Sequence, residues 1–504
     1  MRLNAPRGPA DHPSATANYE GGLAYRPTPE VELYLLACTG LFGEDRFYST
    51  GQQEYERLLR LLDQVDPLYV LRLADYARNR MYLRTLPQVL LAEAAARLKT
   101  PRDGSTVSPV RLYAPRIAIR ADEPMEVLAY WIRTRGSLKG FPNALRRGLA
   151  DVMTGFDAYE LAKYDRAGMV RLKDAIQILH PRPRTREQSE LFRRALDGTL
   201  PPAETWEREV SRHGNRAEVW DRIAPRMGLL ALLRNLRNMA KAGSREGLAV
   251  ALAALRDKEH VQRSKILPFR FLAARREIER EFGITKPEIL DALDRALEAS
   301  AEVVPPLPGT TVVLVDVSGS MGSLLSARSR VSLWDVAATL AAILWRRSGA
   351  RVMAYSTDTA WVDLTGCTIL EAADRISKAL DHGGTDAYKA MARLVHEGVA
   401  ADRVVVLSDE QSYGPTTHLA PGRPVRGWVR PEVTRGSVAY WWAEYRKRHP
   451  KARLWDVDLA GYGTVQFAPD DPSVIQLAGW SEQVLTLIDA VERREEVVAH
   501  LAKV

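Results

Sequence analysis

The hydrophobic periodicity of the chain changes once, near residue 301, and this change divides the sequence into two fold classes. Across residues 28–300, apolar side chains return every three or four positions, with short breaks at Gly, Pro or Asn. This spacing is typical of amphipathic helices. The stretch AEVVPPLPGT at 301–310 contains three prolines and a glycine, which favours a linker. TVVLV then follows at 311–315 and predicts a buried strand, after which helical and strand-like segments alternate.

The helical pattern predicts roughly fifteen or more helices, too many for one compact bundle. Successive antiparallel helix pairs of roughly 40 residues indicate a HEAT-like α-solenoid. The alternating pattern after residue 310 predicts an open, doubly wound α/β domain. We therefore expect a flexible N-terminal arm at 1–19, a helical part at 20–300, a linker at 301–310 and an α/β domain at 311–504.

The excess of positive charge lies entirely in the helical part. Residues 1–300 carry 49 basic and 39 acidic side chains, net +10, whereas residues 301–504 carry 22 and 24, net −2, so the chain totals +8. A basic helical surface is compatible with a polyanionic partner. Cys38 and Cys367 are the two cysteines, too few for a disulfide framework, which favours a reducing, cytoplasmic location. The sequence lacks an apolar run long enough for a membrane span, and its first 19 residues lack the apolar centre of a signal peptide.

A polar cluster follows the first strand of the α/β domain, in Asp316-Val317-Ser318-Gly319-Ser320. The carboxyl ends of parallel strands form the ligand crevice of such a sheet. Carboxylate and hydroxyl oxygens are ligands that Mg²⁺ prefers, although a serine-rich turn that caps the next helix is the alternative. Thr385 in Gly383-Gly384-Thr385-Asp386, and Asp409 after the strand RVVVL, supply further oxygens. Ser318 lacks a G-x-S-x-G context and a histidine marked by spacing, so we expect no hydrolytic activity.

The order DxSxS, GGTD and a strand-terminal aspartate resembles the metal-ion-dependent adhesion site of von Willebrand factor A domains. The resemblance implies that five residues hold Mg²⁺ or another divalent cation: Asp316, Ser318, Ser320, Thr385 and Asp409. In that family the site leaves one coordination position for an acidic group from a partner. The resemblance therefore implies a binding device and not a catalyst.

Four segments of the helical part resemble the Ro ribonucleoprotein family, in which a helical TROVE module precedes a von Willebrand factor A domain. They are NALRRGLADVM (143–153), Lys163-Tyr164 with Asp174 and His180, MGLLALLRNLRNM (227–239) and ILPF (266–269). The resemblance runs from about Asn18 to the C terminus. It implies a closed ring of helical repeats bridged by the A domain. Family members bind small structured Y RNAs on the outer surface of the ring and single-stranded 3′ ends of misfolded or unprocessed RNAs in its hole.

Cationic side chains are dense in one part of the helical region. Ten lie within 46 residues: Lys139, Arg146, Arg147, Lys163, Arg166, Arg171, Lys173, His180, Arg182 and Arg184. Such groups bind phosphates with salt-dependent affinity, although any one of them alone is equally typical of a solvated helix face. The resemblance places Lys163 and His180 at the Y RNA contact, and Arg166 departs from the family spacing by one residue. Arg234 and Arg237 either face the hole of the ring or cap neighbouring helices.

These features favour a non-catalytic RNA-binding scaffold that acts in RNA stability, processing and quality control, in bacteria together with a ribonuclease. The alternative is a HEAT-type protein scaffold whose A domain binds an acidic protein partner through Mg²⁺. A metal-dependent hydrolase ranks lower, because the sequence shows no nucleophile–base pair and no two-metal carboxylate cluster.

The aromatic residues in VAYWWAEYRKRH predict a packed helix of the α/β domain. The loop at 411–435 meets either the ring or a partner.

Overall fold

The computed structural model describes residues 12–39, 48–98, 108–165, 167–326, 329–413 and 435–492. The chain forms two compact units. The first combines Met1–Leu58 with Asn215–Arg494, and the second is centred on Leu59–Gly214. The expected boundary at 301–310 does not separate these units, since the last helices of the helical part belong to the unit that contains the sheet. It does mark the change from helix to strand, because a helix ends at Ala301 and a strand begins at Thr311.

The described part of residues 28–301 is helical throughout, as predicted. The helices are α1 Pro29–Thr39, α2 Gly51–Leu62, α3 Pro67–Asn79, α4 Thr85–Arg97, α5 Pro109–Ile117, α6 Glu123–Arg135, α7 Asn143–Met153, α8 Ala158–Tyr164, α9 Leu172–Leu179, α10 Arg186–Leu196, α11 Trp206–His213, α12 Ala217–Ile223, α13 Leu229–Ala242, α14 Glu246–Arg256, α15 Lys258–Ser264, α16 Pro268–Phe282 and α17 Pro287–Ala301. Neighbours in sequence pack together, for example α3 on α4 and α16 on α17. HEAT-like regularity and ring closure stay predictions. Within the described ranges, the helices are too short or too polar to cross a membrane.

The α/β part contains a six-stranded sheet in the order β5-β4-β3-β6-β7-β8. Its strands are β3 Thr311–Asp316, β4 Arg351–Tyr355, β5 Thr359–Val362, β6 Arg403–Ser408, β7 Arg453–Asp458 and β8 Val474–Ala478. β5 pairs antiparallel to β4, and the other pairs are parallel. The edge strands β5 and β8 were not predicted from the sequence, because short, half-buried segments lack the continuous apolar run of β3.

Helices cover both faces of this sheet, which confirms the predicted α/β architecture. They are α18 Leu333–Ser348, α19 Ile369–Ser377, α20 Ala387–His396, α21 Val438–Arg448 and α22 Gln483–Glu492. One face buries Val312 and Leu314 of β3 under α20 and α21, where Trp442 is fully buried as the aromatic pattern predicted. α18 packs against β3, and α19 packs against β4. The carboxyl ends of β3, β6 and β7 therefore lie side by side at one edge.

The N-terminal segment is ordered where it is described, so the expectation of a flexible arm is wrong for residues 12–19. β1 Ala15–Ala17 and β2 Leu23–Tyr25 form a buried antiparallel hairpin. The backbone N–H of Tyr25 donates to the Val465 carbonyl at 2.8 Å, and the Val465 N–H donates back at 3.0 Å. Strands of three residues are too short to show a periodicity in the sequence. The segment at Val465 that pairs with Tyr25 lies over 400 positions further along the chain. Residues 1–11 lie outside the described part.

Ion pairs fasten α16 to the α/β part within the first unit. Arg276 contacts both Asp335 and Asp374, and Arg330 Nε lies 2.6 Å from Glu277 Oε1. The carboxylate of Asp335 is 5% exposed, and the Arg276 side chain is 34% exposed. A buried carboxylate depends on its cation, because removal of one partner leaves an uncompensated charge.

Replacement of Arg276 by Met is expected to lower the free energy of unfolding by about 2 kcal/mol, since it strips Asp335 of its cation. Urea unfolding followed by tryptophan fluorescence measures the change. Arg295→Met is the matched control, because Arg295 pairs with Asp291 in solvent and exposed pairs contribute little. Equal losses in the two variants would contradict a special role for the Arg276 pair.

Candidate functional sites

The loop after β3 holds its polar side chains in a buried cluster. Ser318 N–H donates to Asp316 Oδ1 at 2.9 Å, and the Ser408 hydroxyl at the end of β6 donates to Asp316 Oδ2 at 3.1 Å. The hydroxyl oxygens of Ser318 and Ser320 lie 3.4 Å apart. All of these side chains are buried. The alternation of residues in the loop thus aims three oxygen-bearing side chains at one place.

Two further loops bring the other predicted residues to the same edge of the sheet. Gly319 N–H donates to the Gly383 carbonyl at 2.9 Å, which joins the β3 loop to the loop that carries Thr385. Tyr413 N–H donates to the Thr385 carbonyl at 2.7 Å, which joins that loop to the segment after Asp409. The structure therefore brings together the three segments that carry the five predicted metal ligands.

The electrostatics of this cluster suit a cation. Burial raises the pKa of Asp316 to about 6 and that of Asp409 to about 8, and the charge of Asp316 adds to the second shift. Within the described ranges, Asp409 Oδ2 is buried without a hydrogen-bond partner at hydrogen-bonding distance. In the part of the chain that the structure describes, no group of three or more His, Cys, Asp or Glu is arranged to hold a metal. The predicted donor set is two carboxylates and three hydroxyls, a set that fits a hard oxygen-seeking ion such as Mg²⁺.

Two aromatic side chains contact backbone carbonyls of the loop after β3. The sequence did not indicate either of them. Trp334 Nε1 donates to the Ser318 carbonyl at 2.7 Å, and His382 Nδ1 lies 2.9 Å from the Val317 carbonyl. The two rings stack with centroids 3.9 Å apart. Their positions on α18 and before Gly383 follow no motif, so only the tertiary structure reveals them.

A second layer of carboxyl groups lies behind the cluster, at the ends of β6 and β7. Glu410 adopts a left-handed backbone conformation (φ 65°) and accepts from Gln466 N–H at 2.8 Å. Burial and the neighbouring Asp456 raise the pKa of Glu410, and burial raises that of Asp456 to about 7. Among the described residues, Glu410 Oε1 and Asp456 Oδ1 are buried without a hydrogen-bond partner. Two neighbouring buried carboxyls favour the protonated form, because burial and the like charge both disfavour ionisation.

The second unit carries the predicted cations on α7, α8, α9 and the segments beside them. Nine are described, and we call them the cationic surface: Lys139, Arg146, Arg147, Lys163, Arg171, Lys173, His180, Arg182 and Arg184. Most are exposed, whereas Arg146 and Lys163 are half-buried. His180 ends α9 in a left-handed conformation (φ 52°), which turns the chain out of the helix. Arg166 lies outside the described residues.

Four carboxylates in this stretch are already used within the fold. Asp157 and Glu160 form the capping box of α8, and Asp174 accepts from the Arg171 N–H at 2.9 Å. Asp151 pairs with Arg111 at 2.8 Å. Among the described residues, no member of the cationic surface forms an ion pair with a carboxylate. The surface therefore keeps its positive potential for an external anion.

Lys163 lies in an aromatic and cationic neighbourhood that the sequence did not indicate. Its Nζ is 5.5 Å from the ring centre of Tyr164 and 5.8 Å from that of Tyr159. The Arg120 guanidinium lies 4.8 Å from the Tyr164 ring centre. Burial and the nearby charge of Arg120 lower the pKa of Arg84. Because Arg84 and Arg120 come from separate interhelical segments, no local spacing places them beside Lys163.

Arg234 and Arg237 belong to the other compact unit, on α13. Arg237 Nη1 lies 2.7 Å from Glu277 Oε2 on α16, so it contacts a neighbouring helix, one of the two alternatives for this residue. Arg234 is exposed, and no ion pair involves it within the described ranges. A role of Arg234 at a ring hole stays a prediction.

The raised pKa values predict that the protein loses stability as pH rises in EDTA. A buried carboxyl with a raised pKa stabilises the fold fully below its unfolded-state pKa, and this contribution disappears as pH rises through the folded-state value. For Asp409, this loss of stability is complete above a pH of about 8. Asp409→Asn is expected to melt several degrees above the wild type at pH 9 and at a similar temperature at pH 5. A pH-independent difference would show that the Asp409 carboxyl does not carry the effect.

Comparisons with known proteins agree with these features. The family model of the TROVE domain matches residues 198–290. RNA-binding protein RO60 of Deinococcus radiodurans is 23% identical over 468 residues, which cover 82% of this chain and 87% of that protein. Telomerase protein component 1 of Mus musculus is 25% identical over 338 residues, but the match spans 13% of that protein. The crystal structure of the Deinococcus radiodurans RO (RSR) protein matches with a TM-score of 0.64 and 20% identity, over 92% of this chain and 100% of that chain. This chain is therefore similar to the Ro proteins, contains a segment that matches the TROVE domain, and shares the fold of the Deinococcus radiodurans RO (RSR) protein.

Proposed function

We propose that this chain is a non-catalytic RNA-binding protein that holds small structured, Y-like RNAs on the cationic surface of its second unit. The observation that carries the proposal is that the nine cations of this surface form no ion pair with any described carboxylate. Neighbouring carboxylates are instead committed to helix caps or, for Asp151, to Arg111. The name of the Deinococcus relative, an RNA-binding protein, supports the same class of ligand.

The chemistry of the surface suits a folded RNA. Lys and Arg side chains neutralise phosphates, and the counterions that this releases make the affinity salt-dependent and largely independent of sequence. Double-stranded RNA is recognised mainly by shape, phosphates and 2′-hydroxyls. Lys163 and His180 lie at the end of α8 and at the end of α9, and we assign both to the RNA contact.

The wider role that we propose is RNA quality control. Single-stranded 3′ ends of misfolded or unprocessed RNAs enter the hole of a helical ring, and the protein presents them to a ribonuclease. The chain itself supplies binding and positioning, and it acts in the stability and processing of noncoding RNA. Arg234, exposed on α13, is our candidate for a contact in the hole.

At the edge of the sheet, we propose that Asp316, Ser318, Ser320, Thr385 and Asp409 hold a divalent cation, with Mg²⁺ as the expected ion. Two observations support this assignment: the oxygen donors are buried, and Asp409 Oδ2 has no hydrogen-bond partner among the residues that the structure describes. When bound, the ion supplies an attachment point for a carboxylate. Trp334 and His382 keep the β3 loop in position through its carbonyls. An acidic protein partner at this site is compatible with RNA binding by the other unit.

Substitution of Lys163 and His180 together by Ala is expected to weaken binding of a small stem-loop RNA with a 3′ tail about tenfold, because two phosphate contacts are lost. Fluorescence anisotropy across a salt series measures the affinity, and its salt slope should fall by about 1 because the charge of Lys163 is lost. Arg193→Ala is the control, since Arg193 is exposed but pairs with Glu190 and Asp197. If the wild type fails to bind this RNA at low salt, the chain is better explained as a protein-interaction scaffold.

Asp316→Ala is expected to abolish binding of Mg²⁺, measured by calorimetry, and to leave the affinity for the same RNA within about twofold. The physical reason is that the cationic surface and the metal residues belong to different compact units. Ser329→Ala, outside the five predicted ligands, controls for a general effect of substitution in this region. A large loss of RNA affinity in the Asp316 variant alone would contradict this division of labour.

A further inference from the structure

The turn of the N-terminal hairpin sits directly on the segment that follows Asp409. Asn18 Nδ2 donates to the Ser412 carbonyl at 2.7 Å, and Tyr19 N–H donates to Gln411 Oε1 at 2.8 Å. A Cβ atom at Gly22 would overlap the Ser412 carbonyl, so the backbone of the turn approaches as closely as a glycine permits. The turn therefore packs closely against the edge of the sheet that carries the predicted metal ligands.

Three tyrosines fix the position of the turn. The Tyr19 and Tyr48 rings stack with centroids 5.4 Å apart, and Tyr462 meets Tyr48 edge-on at 5.1 Å. The Tyr48 hydroxyl donates to Glu20 Oε1 in the turn. Burial, this bond to Glu20 and the charge of Asp409 raise the pKa of Tyr48, whereas a hydrogen bond with Ser320 lowers it. The Tyr48 hydroxyl thus lies between the Glu20 carboxylate and the metal loop.

Glu20 has a second link to the metal residues through Tyr413. Burial and a hydrogen bond with Glu20 raise the pKa of the Tyr413 hydroxyl. The Tyr413 ring lies against Gly384, where a Cβ atom would overlap it, and the Tyr413 N–H donates to the Thr385 carbonyl at 2.7 Å. Two tyrosine hydroxyls therefore hold one carboxylate above the loops of Ser320 and Thr385.

We propose that Glu20 is the chain's own acidic occupant of the approach to this metal site, so that an external carboxylate binds only when Glu20 is displaced. The inference rests on the proposed metal binding. The hydroxyl of Tyr48 donates to the Glu20 carboxylate, and Tyr413, which also bonds to Glu20, is joined to the loop of Thr385. An acidic group of a partner has the same chemistry as Glu20, so the two compete for one position. The hairpin sets how readily the site accepts an outside ligand.

The test measures the affinity of the full chain for Mn²⁺ by electron paramagnetic resonance, with and without acetate as the external carboxylate. In the wild type, acetate should change the Mn²⁺ affinity less than twofold. In Glu20→Gln, which keeps the size of the side chain and removes its charge, acetate should tighten Mn²⁺ binding about fivefold. Tyr48→Phe removes the donor that holds Glu20 and should show an intermediate effect. Glu288→Gln removes the same charge from α17 and should behave as the wild type.

Two results would overturn the inference while leaving the metal proposal intact. In one, the wild type responds to acetate as strongly as Glu20→Gln. In the other, Glu20→Gln binds Mn²⁺ with no response to acetate. If the wild type binds no Mn²⁺, the metal proposal itself fails and the inference falls with it. Retained Mn²⁺ binding in Glu20→Gln and Tyr48→Phe shows that the site is folded in both variants.

Discussion

The parallel pairing of β3 with β6 is the constraint on which the proposed metal site depends. This pairing places the carboxyl ends of both strands at the same edge of the sheet. Asp316 and Asp409 are therefore buried side by side, although the end of β6 lies 92 positions after Asp316 in the sequence. Two buried carboxylates are costly unless they are protonated or paired with a cation. The apolar surface that the helices bury on both faces of the sheet offsets this free-energy cost. The other parts of the site, including the loops that carry Ser318 and Thr385, lie around the carboxyl groups of Asp316 and Asp409.

The cationic surface arises from the opposite arrangement. Its neighbouring acids, such as Asp157 and Asp174, accept hydrogen bonds from backbone N–H groups at helix starts. A carboxylate that caps a helix is held by the helix and not by a nearby Arg or Lys. The cations are therefore left facing solvent. Helix formation itself thus separates the charges and produces a surface suited to phosphate.

Sequence reasoning succeeded where a pattern is local. The buried run of β3 and the DxSxS motif after it predicted a strand and a polar loop, and the structure has both. The helical spacing through residue 301 was equally reliable. The hairpin at 15–25, Trp334 and Arg120 were not predicted. Each of them contacts residues outside its own segment, and no spacing within that segment reveals the partner.

The sequence by itself determined the two fold classes and the surplus of cations in the helical part. The fold classes follow from the periodicity of apolar residues along the chain, and the surplus follows from its composition. The tertiary structure alone decided that the N-terminal turn covers the segment after Asp409, that Tyr48 and Tyr413 hold Glu20 there, and that Arg237 is committed to Glu277. The physical reason is that burial and hydrogen bonding join segments hundreds of residues apart, and only the folded chain brings those segments into contact.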